Sequence, residues 1–102
     1  MATVKLTMEN FEAEVVNSDK KVLIDFWASW CGPCMMVSPF IEEISEERAD
    51  IKVCKVNVDE EPGLAQAFGI SSIPALFVME GGKAVNSMVG AAPKATILEM
   101  LK

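Results

Sequence analysis

Residues 22–34 read VLIDFWASWCGPC, and the interpretation of the whole chain begins from this stretch. Its first half is apolar on both faces, which is typical of a central strand covered on both sides. The strand leads through a turn to Cys31 and Cys34 at the start of a helix. Helical side chains three residues apart lie about 5–6 Å from each other at Cβ, and a disulfide needs about 3.5–4.5 Å. A small local adjustment of the backbone brings the two sulfurs close enough to bond. We therefore predict that the pair alternates between dithiol and disulfide without refolding of the protein.

The composition predicts one domain with an ordinary apolar core. The chain has 102 residues, 51% of them hydrophobic, so we expect a single domain over residues 1–102 that needs no metal or disulfide staple. The formal charge of -6 disfavours nucleic acid as a partner, because phosphate binding needs a basic patch. The N-terminal residues show neither a signal-peptide pattern nor a membrane span. We therefore expect a cytoplasmic monomer that binds no membrane.

The remaining pattern predicts an α/β fold with a mixed five-stranded central sheet flanked by four helices. Strands are expected at 3–6, 21–28, 51–58, 75–80 and 84–89. Helices are expected from Thr7 or Asn10 to Val16, from the second cysteine region to about Ala49, from 59–62 to Gly69, and from about Pro93 onward. This order predicts three parallel strands joined by right-handed crossovers and an antiparallel hairpin.

Several side chains have predicted environments within these elements. Met8, Phe11 and Val15 are expected to face the core from the first helix, and Ile97, Leu98 and Leu101 from the last. Pro39 lies inside the second helical pattern and predicts a kink there. The acidic residues from 42 to 47 are interpreted as a solvated helix face.

Histidine is absent from the chain, which excludes a Cys–His nucleophile pair and histidine ligation of a metal. Proton transfer must then fall to a carboxylate, a lysine, a thiol or water. Asp25 is a carboxylate inside an apolar strand, where burial raises its pKa and suits it to carrying a proton. The alternative is a buried acid satisfied by an ion pair with Lys55. The two interpretations are compatible, because Lys55 can tune Asp25.

The two clustered cysteines have a redox interpretation and a structural one. Cys31 is expected to be the nucleophile, because backbone N–H groups and the dipole at a helix N-terminus stabilise a thiolate. Cys34 lies one turn further in and is expected to resolve the mixed disulfide. A structural disulfide or half of a zinc site is the alternative. Zinc usually needs four ligands, and the third cysteine, Cys54, lies on a distant predicted strand. Cys54 is interpreted as a small buried hydrophobe rather than a regulatory thiol.

Gly32 and Pro33 are expected to tune this pair. Proline carries no N–H and so removes one donor from the helix start. A histidine between the cysteines would stabilise the thiolate and make the dithiol a better oxidant. The absence of a histidine between the two cysteines therefore favours a protein that reduces disulfides.

Over nearly its full length the chain resembles the thioredoxin family. The similarity rests on residues 25–34 and on Ile73-Pro74, with further matching positions at Pro39, Lys55, Asp59, Gly82 and Gly90. The resemblance implies the thioredoxin fold and a general protein disulfide reductase without a bound cofactor or metal. It also implies that a thioredoxin reductase restores the dithiol with NADPH. The chain has no glycine-rich dinucleotide fingerprint, so the nicotinamide site is expected on that partner.

A target-binding surface is also implied by the resemblance. It includes a cis peptide bond at Ile73-Pro74 beside the cysteines, where the Ile73 backbone would pair with an extended target peptide by strand addition. The implied docking surface around Cys31 is flat and weakly polar, and consists of Trp30, Gly32, Pro33, Ile73, Pro74, Val89, Gly90 and Ala91. Trp27 is interpreted as packing that shields the site. Met35 departs from the family pattern, which often has a basic residue there, and Ala75 replaces a common threonine.

Two other functions remain open at this point. The first is an oxidase or isomerase of an oxidising compartment, which the Gly-Pro pair and the missing signal peptide oppose. The second is a binding module that docks on a larger enzyme, with the redox pair incidental. Measuring the reduction potential of the protein distinguishes an oxidase or isomerase from a reductase. A double Cys31→Ser, Cys34→Ser variant distinguishes a binding module, which would keep its function, from a redox protein.

Overall fold

The structure, a computed structural model, describes residues 3–102 and contains one mixed β-sheet. Its strands are β1 (Thr3–Lys5), β2 (Lys21–Trp27), β3 (Ile51–Asn57), β4 (Ala75–Glu80) and β5 (Lys83–Val89). They are arranged in the order β1-β3-β2-β4-β5. The first three in this order are parallel, whereas β4 runs antiparallel to both β2 and β5. The predicted mixed five-stranded sheet is therefore confirmed.

The helical segments are a π-helix (Glu12–Val16), α1 (Gly32–Glu47), α2 (Pro62–Ala67) and α3 (Lys94–Met100). The first ends at Val16, as the sequence predicted, but that prediction did not specify the type of helix, and the structure shows a π-helix that begins at Glu12. The Asn17 N–H donates to the Glu12 carbonyl five residues back, at 2.9 Å, which is the wider spacing of a π turn. Thr7 and Asn10 exchange hydrogen bonds between side chain and backbone, so a turn precedes the helix.

Alternation along the strands directs side chains to two cores, one on each face of the sheet. Leu23 of β2 packs with α1 and α3, in a cluster that includes Val37, Ile41 and Ile97. Val22, Ile24 and Phe26 face the other way and pack with Val15, Leu64 and Cys54. Asp25 alternates with these residues, so it lies on the α1 face of the sheet.

Two predicted core positions are corrected by the structure. Met8 is 62% exposed and does not face the core. In α3, Met100 is buried together with Ile97 and Leu101, whereas Leu98 is only partly buried. Helix α1 continues through Pro39, and the kink there stays a prediction. None of the helices between residues 3 and 102 is both long enough and apolar enough to cross a membrane.

Candidate active site

Cys31 and Cys34 form a disulfide at the N-terminus of α1, with their Cα atoms 5.2 Å apart. Cys31 has an extended backbone conformation and is the N-cap residue, while Cys34 lies in the first turn. The Cys34 N–H donates to Cys31 Sγ at 3.2 Å. Cys31 is 5% exposed and Cys34 is 1% exposed, so Cys31 is the more accessible residue of the pair. The first turn of α1 contains no acidic side chain that would oppose a negative charge on that sulfur.

The segment 73–74 comes from far along the chain and lies beside Cys31. The Ile73-Pro74 peptide bond is cis. The Ile73 carbonyl oxygen lies 3.8 Å from Cys31 Sγ. The Pro74 carbonyl accepts a hydrogen bond from the Gly90 N–H at 2.8 Å, so the end of β5 is attached to the same region. The fold thus brings together Cys31, Ile73, Pro74 and Gly90, as the resemblance implied.

Trp30 projects from the turn before Cys31 and is 70% exposed. Its Nε1–H donates to Asp59 Oδ2 at 2.8 Å, which fixes the ring position. Trp30 and Ile73 line a shallow cavity of about 190 Å³ together with Val58, Ile70, Ser71 and Ser72. Trp27 packs against the small cluster of Ala28, Cys31 and Cys34 beneath this surface.

The remaining predicted docking residues lie around this centre. Gly32, Pro33, Val89 and Ala91 are exposed, and Gly90 is half-buried, whereas Pro74 is buried. Ala91 lines a second cavity, of about 260 Å³, which sequence reasoning did not anticipate; its other lining residues are Met36, Val37, Phe40, Ala92 and Pro93. This cavity is built by side chains of α1 and the segment after β5, which lie far apart in sequence.

Asp25 is 1% exposed and lies on the face of the sheet that α1 covers. Within residues 3–102, neither of its carboxyl oxygens has a hydrogen-bond partner. Burial raises the pKa of Asp25 to about 7, Lys55 lowers it, and Glu42 raises it further. The predicted direction of this pKa shift, and its cause, agree with the structure.

Lys55 does not form the ion pair with Asp25 that the sequence suggested as an alternative. Its Nζ donates to Ser38 Oγ at 3.1 Å and lies 3.5 Å from Glu42 Oε2. It also lies 5.1 Å from the centroid of the Trp27 ring. The prediction of an entirely solvated acidic face on α1 is wrong at Glu42, whose Oε1 is buried. Cys34, Ser38 and Glu42 are spaced four residues apart, so they lie along one face of α1. This spacing is the sequence feature that could have predicted polar side chains beside Lys55.

Cys54 is buried on the opposite face of β3 from Lys55, among the residues of the second core. Burial raises the pKa of its thiol to about 12, so it stays protonated at neutral pH. Among residues 3–102, no group of three His, Cys, Asp or Glu side chains could hold a metal ion.

A mixed sheet with a disulfide-forming cysteine pair at the N-terminus of a covering helix defines a thiol–disulfide oxidoreductase. The thioredoxin family model matches residues 2–102, so the chain belongs to the thioredoxin family. Its redox group is the Cys31–Cys34 pair rather than a bound cofactor.

Individual thioredoxins support this assignment. The chain is 49% identical over 96 residues to a thioredoxin from Chlorobaculum thiosulfatiphilum, covering 93% of this chain and 89% of that one. It is 51% identical to thioredoxin 2 from Chlorobaculum tepidum, covering 93% and 88% of the two chains. It is 48% identical over 102 residues to thioredoxin 1 from a Nostoc species, covering 99% and 95%.

Proposed function

We propose that the protein is a general protein disulfide reductase. The observation that supports this most directly is the Cys31–Cys34 disulfide at the start of α1, with the Ile73 carbonyl 3.8 Å from the outer sulfur. The reducing direction is supported by Gly32 and Pro33, which place no cation between the two cysteines. A dithiol whose thiolate is less stabilised is the stronger reductant.

The first step is attack of the Cys31 thiolate on one sulfur of the target disulfide. A bond forms between Cys31 and that sulfur, and the other target sulfur leaves as a thiolate. Backbone N–H groups at the start of α1 stabilise the attacking thiolate, as the Cys34 N–H contact to Cys31 Sγ indicates.

In the second step Cys34 loses its proton and attacks Cys31 Sγ. The mixed disulfide breaks, the second target sulfur leaves as a thiolate, and two electrons have passed to the target. Asp25 accepts the Cys34 proton, and a raised pKa of about 7 suits it to that role near neutral pH. Because neither Asp25 oxygen has a partner among the described residues, we propose that the proton passes through water.

The target docks on the exposed surface around Cys31. Trp30, Ile73 and Val89 supply apolar contact area, and Gly32, Pro33, Gly90 and Ala91 complete a flat surface. Pro74 is buried, so its role is to hold Ile73 and Gly90 in place. The backbone of Ile73 pairs with an extended target segment by strand addition. Gly32, Pro33 and Lys55 tune the redox pair rather than contact the target sulfur.

A thioredoxin reductase that uses NADPH restores the dithiol after each turnover. This proposal is supported by family membership and by the Cys31–Cys34 pair, which needs an external electron donor. The cytoplasm is the proposed compartment, because a reductant of protein disulfides works where thiols are kept reduced.

The experiment that tests the function is insulin reduction followed by turbidity, with a small dithiol as the electron donor. We expect activity in the intact protein and none above background in Cys31→Ser. Cys34→Ser should accumulate the mixed disulfide with the target, because nothing resolves it. Cys54→Ala is the matched control and should retain activity. An inactive intact protein with a free Cys31 thiol would contradict the proposal.

A further inference from the structure

Asp25 and Lys55 occupy matching positions on neighbouring parallel strands, yet their side chains do not pair. The register of β2 and β3 aligns the two residues, and alternation along both strands turns their side chains toward α1. A buried carboxyl group beside an ammonium group ordinarily forms an ion pair, because burying either charge alone is costly. Some other feature must therefore hold Lys55 away from Asp25.

Helix α1 supplies two competing partners for Lys55. Its Nζ donates to Ser38 Oγ at 3.1 Å and lies 3.5 Å from Glu42 Oε2. Ser38 and Glu42 are four residues apart, so they lie on the same face of the helix. The Trp27 ring adds a cation–π contact at 5.1 Å. Together these contacts keep the ammonium group on the helix side of the space between α1 and the sheet.

Glu42 is more enclosed than the other acids of α1. Its side chain is 31% exposed, compared with 54% for Glu43 and 56% for Glu47, which both bind Lys94. Its Oε1 is buried without a hydrogen-bond partner among the described residues, which costs free energy. A glutamate on a helix surface avoids that cost by turning into solvent, so the inward orientation of Glu42 indicates a specific attraction to Lys55.

We propose that Glu42, assisted by Ser38, is a positioning residue that holds the Lys55 ammonium group against α1 and prevents it from forming an ion pair with Asp25. The significance of this role rests on the proposed function of Asp25 as the proton acceptor for Cys34. An Asp25 paired with Lys55 would stay ionised over the neutral range and could not take up and return a proton there.

The charged and titratable groups around Asp25 are contributed by two elements. Lys55 comes from β3, and α1 carries Glu42 and Cys34, whereas β4 places the uncharged Leu76 opposite Asp25. Burial is the largest cause of the raised pKa of Asp25, Lys55 lowers that pKa, and Glu42 raises it. Neutralising Glu42 therefore lowers the pKa of Asp25 in two ways, by removing a repulsion and by releasing Lys55.

The test is a titration of the Asp25 side-chain carboxyl by ¹³C NMR in the oxidised protein, where Cys31 and Cys34 carry no titrating thiol. Glu42→Gln is expected to lower the apparent pKa of Asp25 by about one unit, since an opposite charge within reach has an effect of that order. Ser38→Ala removes a partner of Lys55 but no charge, and is expected to cause a smaller fall. Glu46→Gln makes the same charge change at an exposed position of α1 and should cause no shift.

A Lys55→Met background separates positioning from direct repulsion. We expect Glu42→Gln to lower the pKa of Asp25 clearly less in that background than in the native one. Equal shifts in the two backgrounds, or no shift in Glu42→Gln alone, would overturn the proposal. The pH profile of insulin reduction is measured in parallel. If Glu42→Gln lowers the pKa of Asp25 but leaves the pH profile of insulin reduction unchanged, the positioning of Lys55 is supported. The same result contradicts the proton-transfer role of Asp25.

Discussion

At the scale of single residues, burial determines the chemistry of Asp25. Its pKa is raised to about 7 mainly because the carboxylate loses water in the space beneath α1. The sequence predicted this shift, since an acid within an apolar strand has few ways to remain hydrated. The direction in which Lys55 points was not predictable, because Ser38 and Glu42 compete for it from another element.

This pKa shift makes the stability of the protein depend on pH. The unfolded chain ionises Asp25 near 3.8, and the folded protein does so near 7, so stability falls as the pH rises between these values. Asp25→Asn removes this titration, so the variant should gain stability relative to the native protein as the pH rises. We expect the change in the free energy of unfolding caused by Asp25→Asn to be more favourable at pH 8 than near pH 3, by up to about 4 kcal/mol. Urea unfolding of the oxidised protein at both pH values measures this difference.

Asp50→Asn is the matched control for that measurement, with the opposite sign. The hydrogen bond from Arg48 lowers the pKa of Asp50 to about 2, so its contribution is present at neutral pH and is lost in acid. The variant should therefore lose stability at neutral pH relative to low pH. A pH-independent effect of Asp25→Asn would show that the native carboxyl titrates as it does in the unfolded chain.

At the scale of elements, local signals predicted the ends of strands and helices within a few residues. The hairpin between β4 and β5 is an example, because Gly81 and Gly82 have φ angles of 61° and 80° and form the two-residue loop between Glu80 and Lys83. Glycine adopts this left-handed conformation without the steric cost that a Cβ adds. The helix that ends at Val16 was predicted, but its π type was not, because the wider hydrogen-bond spacing has no simple sequence pattern.

Substituting these glycines tests the turn. We expect Gly81→Ala to lower the free energy of unfolding by about 1 kcal/mol, because an L-residue pays a steric penalty in that conformation. Gly81→Asn should lower it less, since asparagine tolerates positive φ better. Urea denaturation measures both. Equal losses for alanine and asparagine would indicate that the loop does not require the left-handed conformation.

At the scale of the whole molecule, one sheet separates two cores that share the same strands. Leu23 of β2 contributes to the core under α1 and α3, and Ile24 to the core on the other face. Because adjacent residues of one strand serve both cores, loss of either core removes support from the other. The single-domain organisation expected for residues 1–102 remains a prediction that cooperative unfolding can test.

Truncating one fully buried side chain in each core provides that test. We expect Ile97→Ala and Leu6→Ala each to lower the free energy of unfolding by about 2–5 kcal/mol, through lost burial and a residual cavity. Far-UV circular dichroism and tryptophan fluorescence should report the same urea midpoint in each variant, with an unchanged slope. Separate transitions for the two probes would indicate that the two faces unfold independently.

The properties of this protein that could be predicted without coordinates are those encoded by residues near one another in the chain. They include the spacing of Cys31 and Cys34, their place at a helix start, the burial of Asp25 and the alternation that builds a two-faced sheet. Each depends on local geometry and on the hydrophobic pattern of a single element. The positions of Ile73 and Pro74 beside the cysteines were expected because of family resemblance, not because of any local pattern.

Packing between distant segments determined the rest. The Ile73 carbonyl meets a sulfur 42 residues away, Trp30 binds Asp59 across 29 residues, and Lys55 turns toward Ser38 across 17. These contacts depend on the order of the strands and on the angle at which α1 crosses them. More than one partner is chemically suitable for each of these polar groups. Distance and burial in the folded chain decide which contact forms.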